Sequence, residues 1–260
     1  MIPKIIHYCW FGGNPLPELA QKCIESWKKY CPDYEIREWN ETNFDLNCNQ
    51  YVKEAFEAKK WAFITDYVRL WAMVRDGGIY MDTDVEIIRP LDIYLNERAF
   101  SGFETEDSIP TGIMACEEGF PLFKELLTEY RNRSFIKSDG TYDLTTNVTA
   151  ITNYCLRYGL VLNNTKQTIQ GFTLYPHDVF CPKSHKTGII TCTENTHTIH
   201  HFAGSWHTEK ELKWINAERK LRDKFGYGLA DCIFLRLIRN IYCYGLWSAI
   251  VKIKDKIIYK

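Results

Sequence analysis

The first forty residues constrain the fold most. Ile5-Ile6-His7-Tyr8-Cys9-Trp10-Phe11 is a short apolar run that stops at Gly12-Gly13-Asn14-Pro15, the pattern of a buried strand and a glycine turn. Leu16 to Tyr30 has helical spacing, with Leu19, Cys23, Ile24 and Trp27 on one side and lysines on the other. Tyr34 to Trp39 then alternates as a second strand. Strand, helix, strand opens a parallel α/β sheet, whose ligands gather beyond the carboxyl ends of the strands. The glycine turn falls at such an end. It lacks both the G-x-G-x-x-G and the G-x-x-x-x-G-K-[ST] spacing, so neither a dinucleotide site nor a P-loop is supported.

The remaining chain continues in the same alternation. Tyr51 to Asp76 reads as mostly helical, and Gly77-Gly78 ends it before Ile79, Tyr80 and Met81, a buried strand. Val85 to Ile88 continues extended as far as Pro90. Phe100–Phe103 and Ile113–Cys116 read as strands, with a polar loop from Glu104 to Thr111 that is long enough to reach a substrate. Helices are expected over Pro121–Arg133 and Leu144–Arg157, the second begun by Thr145 or Thr146. Short strands follow at Thr173–His177, Gly188–Thr191 and Thr198–Trp206.

Charge divides the chain in two. The net charge is −1, yet residues 207–260 hold 12 Lys and Arg against 6 Asp and Glu. The expected organisation is therefore an α/β domain over 1–206 and a basic, amphipathic helical region over 207–260. In the latter, Ile233, Phe234, Leu237, Ile238, Ile241 and Tyr242 share a face, and Arg236, Arg239 and Asn240 another. This composition suits either an anionic membrane surface or docking on the protein's own core. The ten cysteines form no C-x-x-C pair, which argues against zinc-ribbon and thioredoxin-type sites. No leader pattern and no run of about 18 uncharged apolar residues occurs, so the expectation is a cytoplasmic protein with reduced thiols, peripheral at the inner face of the cell membrane.

Three groups of residues carry chemistry. Asp82 and Asp84 follow Met81, and in extended chain positions i and i+2 project to one side. Two carboxylates so close raise each other's pKa unless a cation lies between them, and a hard divalent ion suits oxygen ligands. Alone, Asp82-Thr83-Asp84 reads first as a solvated turn, since aspartates are common in turns. Asp66 and Arg69, at i and i+3 of a helix, are either a surface ion pair or a carboxylate and guanidinium aimed at a hydroxylated, anionic ligand. His200 and His201 lie near the end of the α/β region and add candidate metal or phosphate ligands.

Together these pieces resemble glycosyltransferase family 32, the group with a DXD sugar-binding region, and are more distantly similar to the glucosyltransferase domain of large clostridial toxins. The resemblance rests on Ile2 to Gly13, Asp66-x-x-Arg69, Gly77 to Asp84, and His200-His201-x-x-x-Ser205-Trp206, in that order. It implies a GT-A fold for 1–206, a Rossmann-like nucleotide-binding sheet flanked by helices, and retaining transfer helped by Mn²⁺ or Mg²⁺. It places Cys9 and Trp10 at the nucleobase and Asp66 and Arg69 at the donor sugar. Tyr80 and Asp82 would contact ribose, sugar or metal through water, with Asp84 on the metal directly. His200 or His201 would complete the metal shell, while Ser205 and Trp206 would hold metal and β-phosphate. Asn147, at the start of a helix, is a further candidate near the sugar. Neighbours in a strand point to opposite faces, so only one of the two histidines should ligate.

The expected activity is transfer of a hexose from a nucleotide sugar, UDP-linked in preference to GDP-linked, to a saccharide acceptor. Capsule-type relatives imply a lipid-linked acceptor in surface polysaccharide synthesis. Two other classes fit part of the pattern. A metal-dependent nucleotide-sugar hydrolase or phosphodiesterase would also use Asp82, Asp84 and His200, and a non-catalytic carbohydrate-binding module would explain the aromatic content. Nothing suggests a nucleic-acid partner.

Overall fold

The computed structural model describes residues 1–110, 112–204 and 209–225, together with Leu235, Ile238, Arg239, Ile241, Tyr242, Cys243 and Gly245. In chain order the elements are β1 (Ile5–Cys9), α1 (Glu18–Tyr30), β2 (Glu35–Trp39), α2 (Gln50–Glu57), α3 (Trp61–Asp76), β3 (Gly78–Met81), β4 (Val85–Ile87), β5 (Ala99–Gly102) and β6 (Ile113–Cys116). There follow α4 (Pro121–Glu129), α5 (Asn147–Arg157), β7 (Gln167–Ile169), β8 (Phe172–Tyr175), the short α6 (His177–Phe180), β9 (Thr198–His200) and α7 (Glu209–Phe225).

Two compact units separate: Met1–Lys183 with Ile190–Phe202, and Ser184–Ile189 with Ala203–Lys260. The first contains a seven-stranded sheet of order β2-β1-β3-β6-β5-β8-β7 and a two-stranded sheet of β4 and β9. Strands β2, β1, β3, β5 and β8 run one way, while β6 and β7 oppose them. The carboxyl ends of β1, β3 and β5 therefore open toward the same edge of the sheet. The second unit contains α7, in which the Trp214 ring lies 5.8 Å from that of Tyr242.

Alternation along β1 and β3 sorts side chains into two cores. Ile6, Tyr8, Ile79 and Met81 pack with Cys23, Ile24 and Trp27 of α1. Cys9 and Tyr80 face the other way, into the core that α3, α4 and α5 complete. Trp27 also donates from Nε1 to the Val85 carbonyl at 2.7 Å, and Ile87 N donates to Ser26 Oγ at 2.9 Å, so α1 fixes the position of β4.

The α/β expectation holds, and several elements differ in detail. The single helix expected over Tyr51–Asp76 is two, broken where Lys59 takes a φ of 55°. Asn49 caps α2 by accepting from Tyr51 N at 2.8 Å. Thr146 caps α5, as one of the two threonines proposed from sequence, and Asn147 begins its first turn. Gly188–Thr191 is not a strand; Ile190 forms an isolated bridge with Lys183. The strand expected over Thr198–Trp206 stops at His200. Half of the apolar face proposed between Asp231 and Val251, namely Ile233, Phe234 and Leu237, lies outside the described residues.

Candidate donor and metal site

Gly77 and Gly78 let α3 turn back directly into β3. Their φ angles are 65° and 101°, and a Cβ on Gly78 would lie 2.7 Å from the Ile5 carbonyl oxygen. Larger residues could not adopt this path without pushing β1 away. The reversal sets Arg69 of α3 over the Tyr80 ring, with Asp66 one turn before it on the same buried side.

Arg69 is the hub. Its Nη2 lies 3.2 Å from Asp82 Oδ1 and 3.6 Å from Asp66 Oδ1, and its guanidinium carbon stands 4.5 Å from the centre of the Tyr80 ring. Tyr80 Oη donates to the same Asp82 oxygen at 3.0 Å. Both Asp66 and Arg69 are buried, with side chains 10% and 11% exposed, so the surface-ion-pair reading of this motif does not apply. Arg69 Nε has no hydrogen-bond partner, leaving a buried cationic donor for an oxygen-rich ligand.

Asp66 is held from the other side by α5. Asn147 N donates to Asp66 Oδ2 at 3.1 Å, and Asn147 Nδ2 donates to the Asp66 carbonyl at 2.6 Å. Tyr130 Oη in turn donates to Asn147 Oδ1 at 3.1 Å. Burial pushes the Asp66 carboxyl up to about 6, against the opposing pull of Arg69 and of the Asn147 amide. Asn147 thus belongs to the Asp66 network, although no sequence motif marks it.

Asp82 and Asp84 do come together, but not by the extended geometry expected. β3 ends at Met81, Asp82 N donates to the Gly112 carbonyl at 2.8 Å, and Val85 N closes back on the Asp82 carbonyl at 3.0 Å. A tight turn brings the carboxylates together because the chain must reverse into β4. With His200 they form a group whose ligand atoms all lie within 4.8 Å of one another. His200 Nε2 is 3.4 Å from Asp84 Oδ1. Its pairing with Val85 across β4 and β9 sets that position.

His201 takes a different partner. Its N donates to the Asp84 carbonyl at 2.9 Å, while its Nε2 lies 2.9 Å from Glu86 Oε2. Among the described residues the three-ligand group contains His200 and not His201.

At the end of β1, Cys9 is buried beside Arg69, Asp82 and Tyr80, and burial raises its thiol well above the ordinary range. Trp10 is half-exposed and donates from Nε1 to the Asn14 carbonyl at 2.6 Å. A Cβ on Gly12 would stand 2.9 Å from Trp61 Nε1, so the loop lies against the start of α3. Ser205 and Trp206 lie outside the described residues.

Two contributors were not singled out in the sequence. Glu104 follows β5 by two residues and places Oε1 3.5 Å from His200 Nδ1. Gly112 lies so close that a Cβ there would come within 3.1 Å of the His200 ring. The available signal for Glu104 was a carboxylate just past the carboxyl end of an apolar strand.

The donor set fits a divalent cation. Two carboxylates and an imidazole suit Mn²⁺ or Mg²⁺, and metal–oxygen bonds of about 2.0–2.6 Å let one ion bridge atoms spaced this way. The buried His200 Nδ1 lacks a hydrogen bond at ordinary length, and Asp84 raises the imidazole's proton affinity even against burial. Both features describe a ring held ready for a positive charge.

At its strand ends the mixed α/β sheet thus gathers an Asp-x-Asp turn, a histidine and a buried Asp–Arg pair. Residues 17–101 match the family model described as "Glycosyltransferase sugar-binding region containing DXD motif". Inositol phosphoceramide mannosyltransferase 3 of Schizosaccharomyces pombe is 31% identical over 138 residues, covering 48% of this chain and 36% of its own length. Mannosyl phosphorylinositol ceramide synthase CSH1 of Saccharomyces cerevisiae is 26% identical over 140 residues, covering 51% of this chain and 36% of its own. The chain thus spans little more than a third of the length of the curated relatives it matches. Among solved structures, a glycosyltransferase involved in glycosylation of the major capsid of PBCV-1 aligns with a TM-score of 0.42 at 13% identity, over 78% of this chain and 95% of its own.

Proposed function

We propose that this protein is a metal-dependent, retaining hexosyltransferase that moves a sugar from a nucleoside diphosphate to a saccharide acceptor. The observation that carries the reading is the convergence of Asp82, Asp84 and His200 beside the buried Asp66–Arg69 pair.

Breaking the bond from the anomeric carbon to the diphosphate puts negative charge on the leaving group and positive character on the sugar. A divalent ion held by Asp84 and His200 would offset the first charge when bound. Asp82 shares Oδ1 with Arg69 and Tyr80, which favours a bridging role toward sugar, ribose or a metal-bound water. Arg69 presents its unpartnered Nε to donor oxygens, and ionised Asp66 accepts sugar hydroxyls. Cys9 and Trp10 stand at the neighbouring strand end as the base-contacting pair. The acceptor hydroxyl oxygen attacks the anomeric carbon from the face the diphosphate leaves, and its proton passes to the departing phosphate oxygen. Retention follows without an enzyme nucleophile.

The names of the curated relatives make mannose the first hexose to try, beside the UDP-sugars favoured by the sequence reading. A lipid-linked saccharide acceptor would suit the basic 207–260 segment, which is proposed to meet an anionic membrane surface, and a role in surface polysaccharide synthesis follows. Among the described residues no helix is long and apolar enough to cross a membrane.

The test is release of nucleoside diphosphate from a panel of GDP- and UDP-hexoses, with Mn²⁺ or with EDTA. Turnover of one donor that EDTA abolishes is the expected result, and full turnover in EDTA would overturn the metal role. Sugar release without acceptor at the rate of transfer would favour the hydrolase reading.

A further inference from the structure

We infer that Glu104 is a positioning residue that orients His200 for the divalent cation, and that the loop after β5 is thereby part of the metal site. This rests on the proposed metal-dependent reading and extends it to a residue outside the motifs.

Four features converge on the His200 ring. Its Nε2 faces Asp84 Oδ1 at 3.4 Å, and its Nδ1 faces Glu104 Oε1 at 3.5 Å, so the two nitrogens address different carboxylates. The Phe202 ring packs on it with centroids 4.2 Å apart. On another side it approaches Gly112, where a Cβ would lie 3.1 Å from both Cδ2 and Cε1. The ring is thus confined by contacts that leave one nitrogen toward the aspartates.

An imidazole can bind a cation through Nε2 only when the remaining proton sits on Nδ1. A carboxylate opposite Nδ1 fixes that tautomer and increases the electron density offered by Nε2. At 3.5 Å the contact is longer than an ordinary hydrogen bond, so Glu104 acts on the ring as a facing charge and as the acceptor nearest to Nδ1. The loop is built to hold the carboxylate there. Glu104 N donates to the Ser108 carbonyl at 3.0 Å, Thr105 Oγ1 donates to Asp107 Oδ1 at 2.6 Å, and Phe103 N is tied to the Tyr175 carbonyl at 2.9 Å. The Glu104 carboxylate thus faces the Nδ1 side of His200.

The experiment is Mn²⁺ titration of the metal-free protein by calorimetry, with metal-free thermal melting recorded alongside, for the wild type, Glu104→Ala, Glu104→Gln and the reference Asp84→Ala. Expected are a Glu104→Ala affinity about 10–100-fold weaker, an unchanged metal-free melting temperature, and substantial recovery in Glu104→Gln, whose amide oxygen can still accept from Nδ1. Wild-type Mn²⁺ affinity in Glu104→Ala would overturn the inference while leaving the metal site standing. So would a lowered metal-free melting temperature matching the affinity loss, which would mark a merely structural residue. If the wild type and Asp84→Ala bind Mn²⁺ equally, the metal reading itself fails, and the inference with it.

Discussion

Arg69 Nη2 lies 3.2 Å from Asp82 Oδ1, which ties the middle of α3 to the first aspartate of the DXD turn. The same nitrogen is 3.6 Å from Asp66, one helical turn away, so one guanidinium serves two carboxylates with their combined charge only partly neutralised. Arg69→Lys should therefore do more than preserve a positive charge. A lysine cannot fork between both carboxylates and stack on Tyr80 together. The expected result is a fall in kcat/KM of about a hundredfold, in line with loss of a positioned donor to a developing charge, measured by steady-state kinetics with the preferred donor.

Asp84→Ala removes one of three clustered ligands. Mn²⁺ affinity should drop by at least about a hundredfold, more than loss of an outer-shell partner usually costs. Calorimetric titration of the metal-free protein reads this directly, and an unchanged affinity would overturn the metal reading of the Asp82–Asp84–His200 group.

His7 predicts an acid limit to stability. It is fully buried on β1, where Nδ1 accepts from Trp39 Nε1 at 3.1 Å and Nε2 faces the Gly77 carbonyl at 2.9 Å. Both contacts are met by the neutral ring, and burial lowers its pKa from 6.5 to about 4. The unfolded chain takes up the proton first, so this contribution is present above pH 6.5 and is lost as pH falls toward 4. A shift of that size corresponds to roughly 3 kcal/mol. Thermal melting between pH 7 and 4 should show a shallower decline for His7→Gln than for the wild type.

Gly112→Ala should damage the metal site from behind. The new methyl would meet Val85 Cγ2 at 2.9 Å and the His200 ring at 3.1 Å. Overpacking of this kind costs about 1–3 kcal/mol. A lowered melting temperature together with weaker Mn²⁺ binding is expected, and wild-type values for both would show that the ring has room to move.

The basic segment predicts salt-sensitive membrane binding. Residues 207–260 carry twice as many basic as acidic side chains. The full chain should sediment with phosphatidylserine-containing vesicles at low salt and release as ionic strength rises, because screening shortens the reach of such charges. No sedimentation with these vesicles would leave docking on the protein itself as the reading of this segment.

Much of this was legible in the chain. The apolar runs ended by glycine or proline fixed β1, α1, β2 and β3, because burial of one face and termination by Gly77-Gly78 are local demands. The motif residues Asp66, Arg69, Tyr80, Asp82 and Asp84 could likewise be named from spacing and resemblance. Tertiary structure decided how they meet. Asp82 and Asp84 converge through a turn into β4 and not through the period of a strand, since pairing of β4 with β9 pulls the chain away from the sheet. That same pairing assigns the two adjacent histidines, carrying His200 to the aspartates while His201 meets Glu86. Asn147 and Glu104 lie 81 and 96 positions from their partners Asp66 and His200. Contacts at such separations leave no local pattern, because they are made where the start of α5 meets Asp66 of α3 and where the loop after β5 meets the end of β9. Sequence determined which donors the site contains; only the fold determined which atoms of those donors face one another.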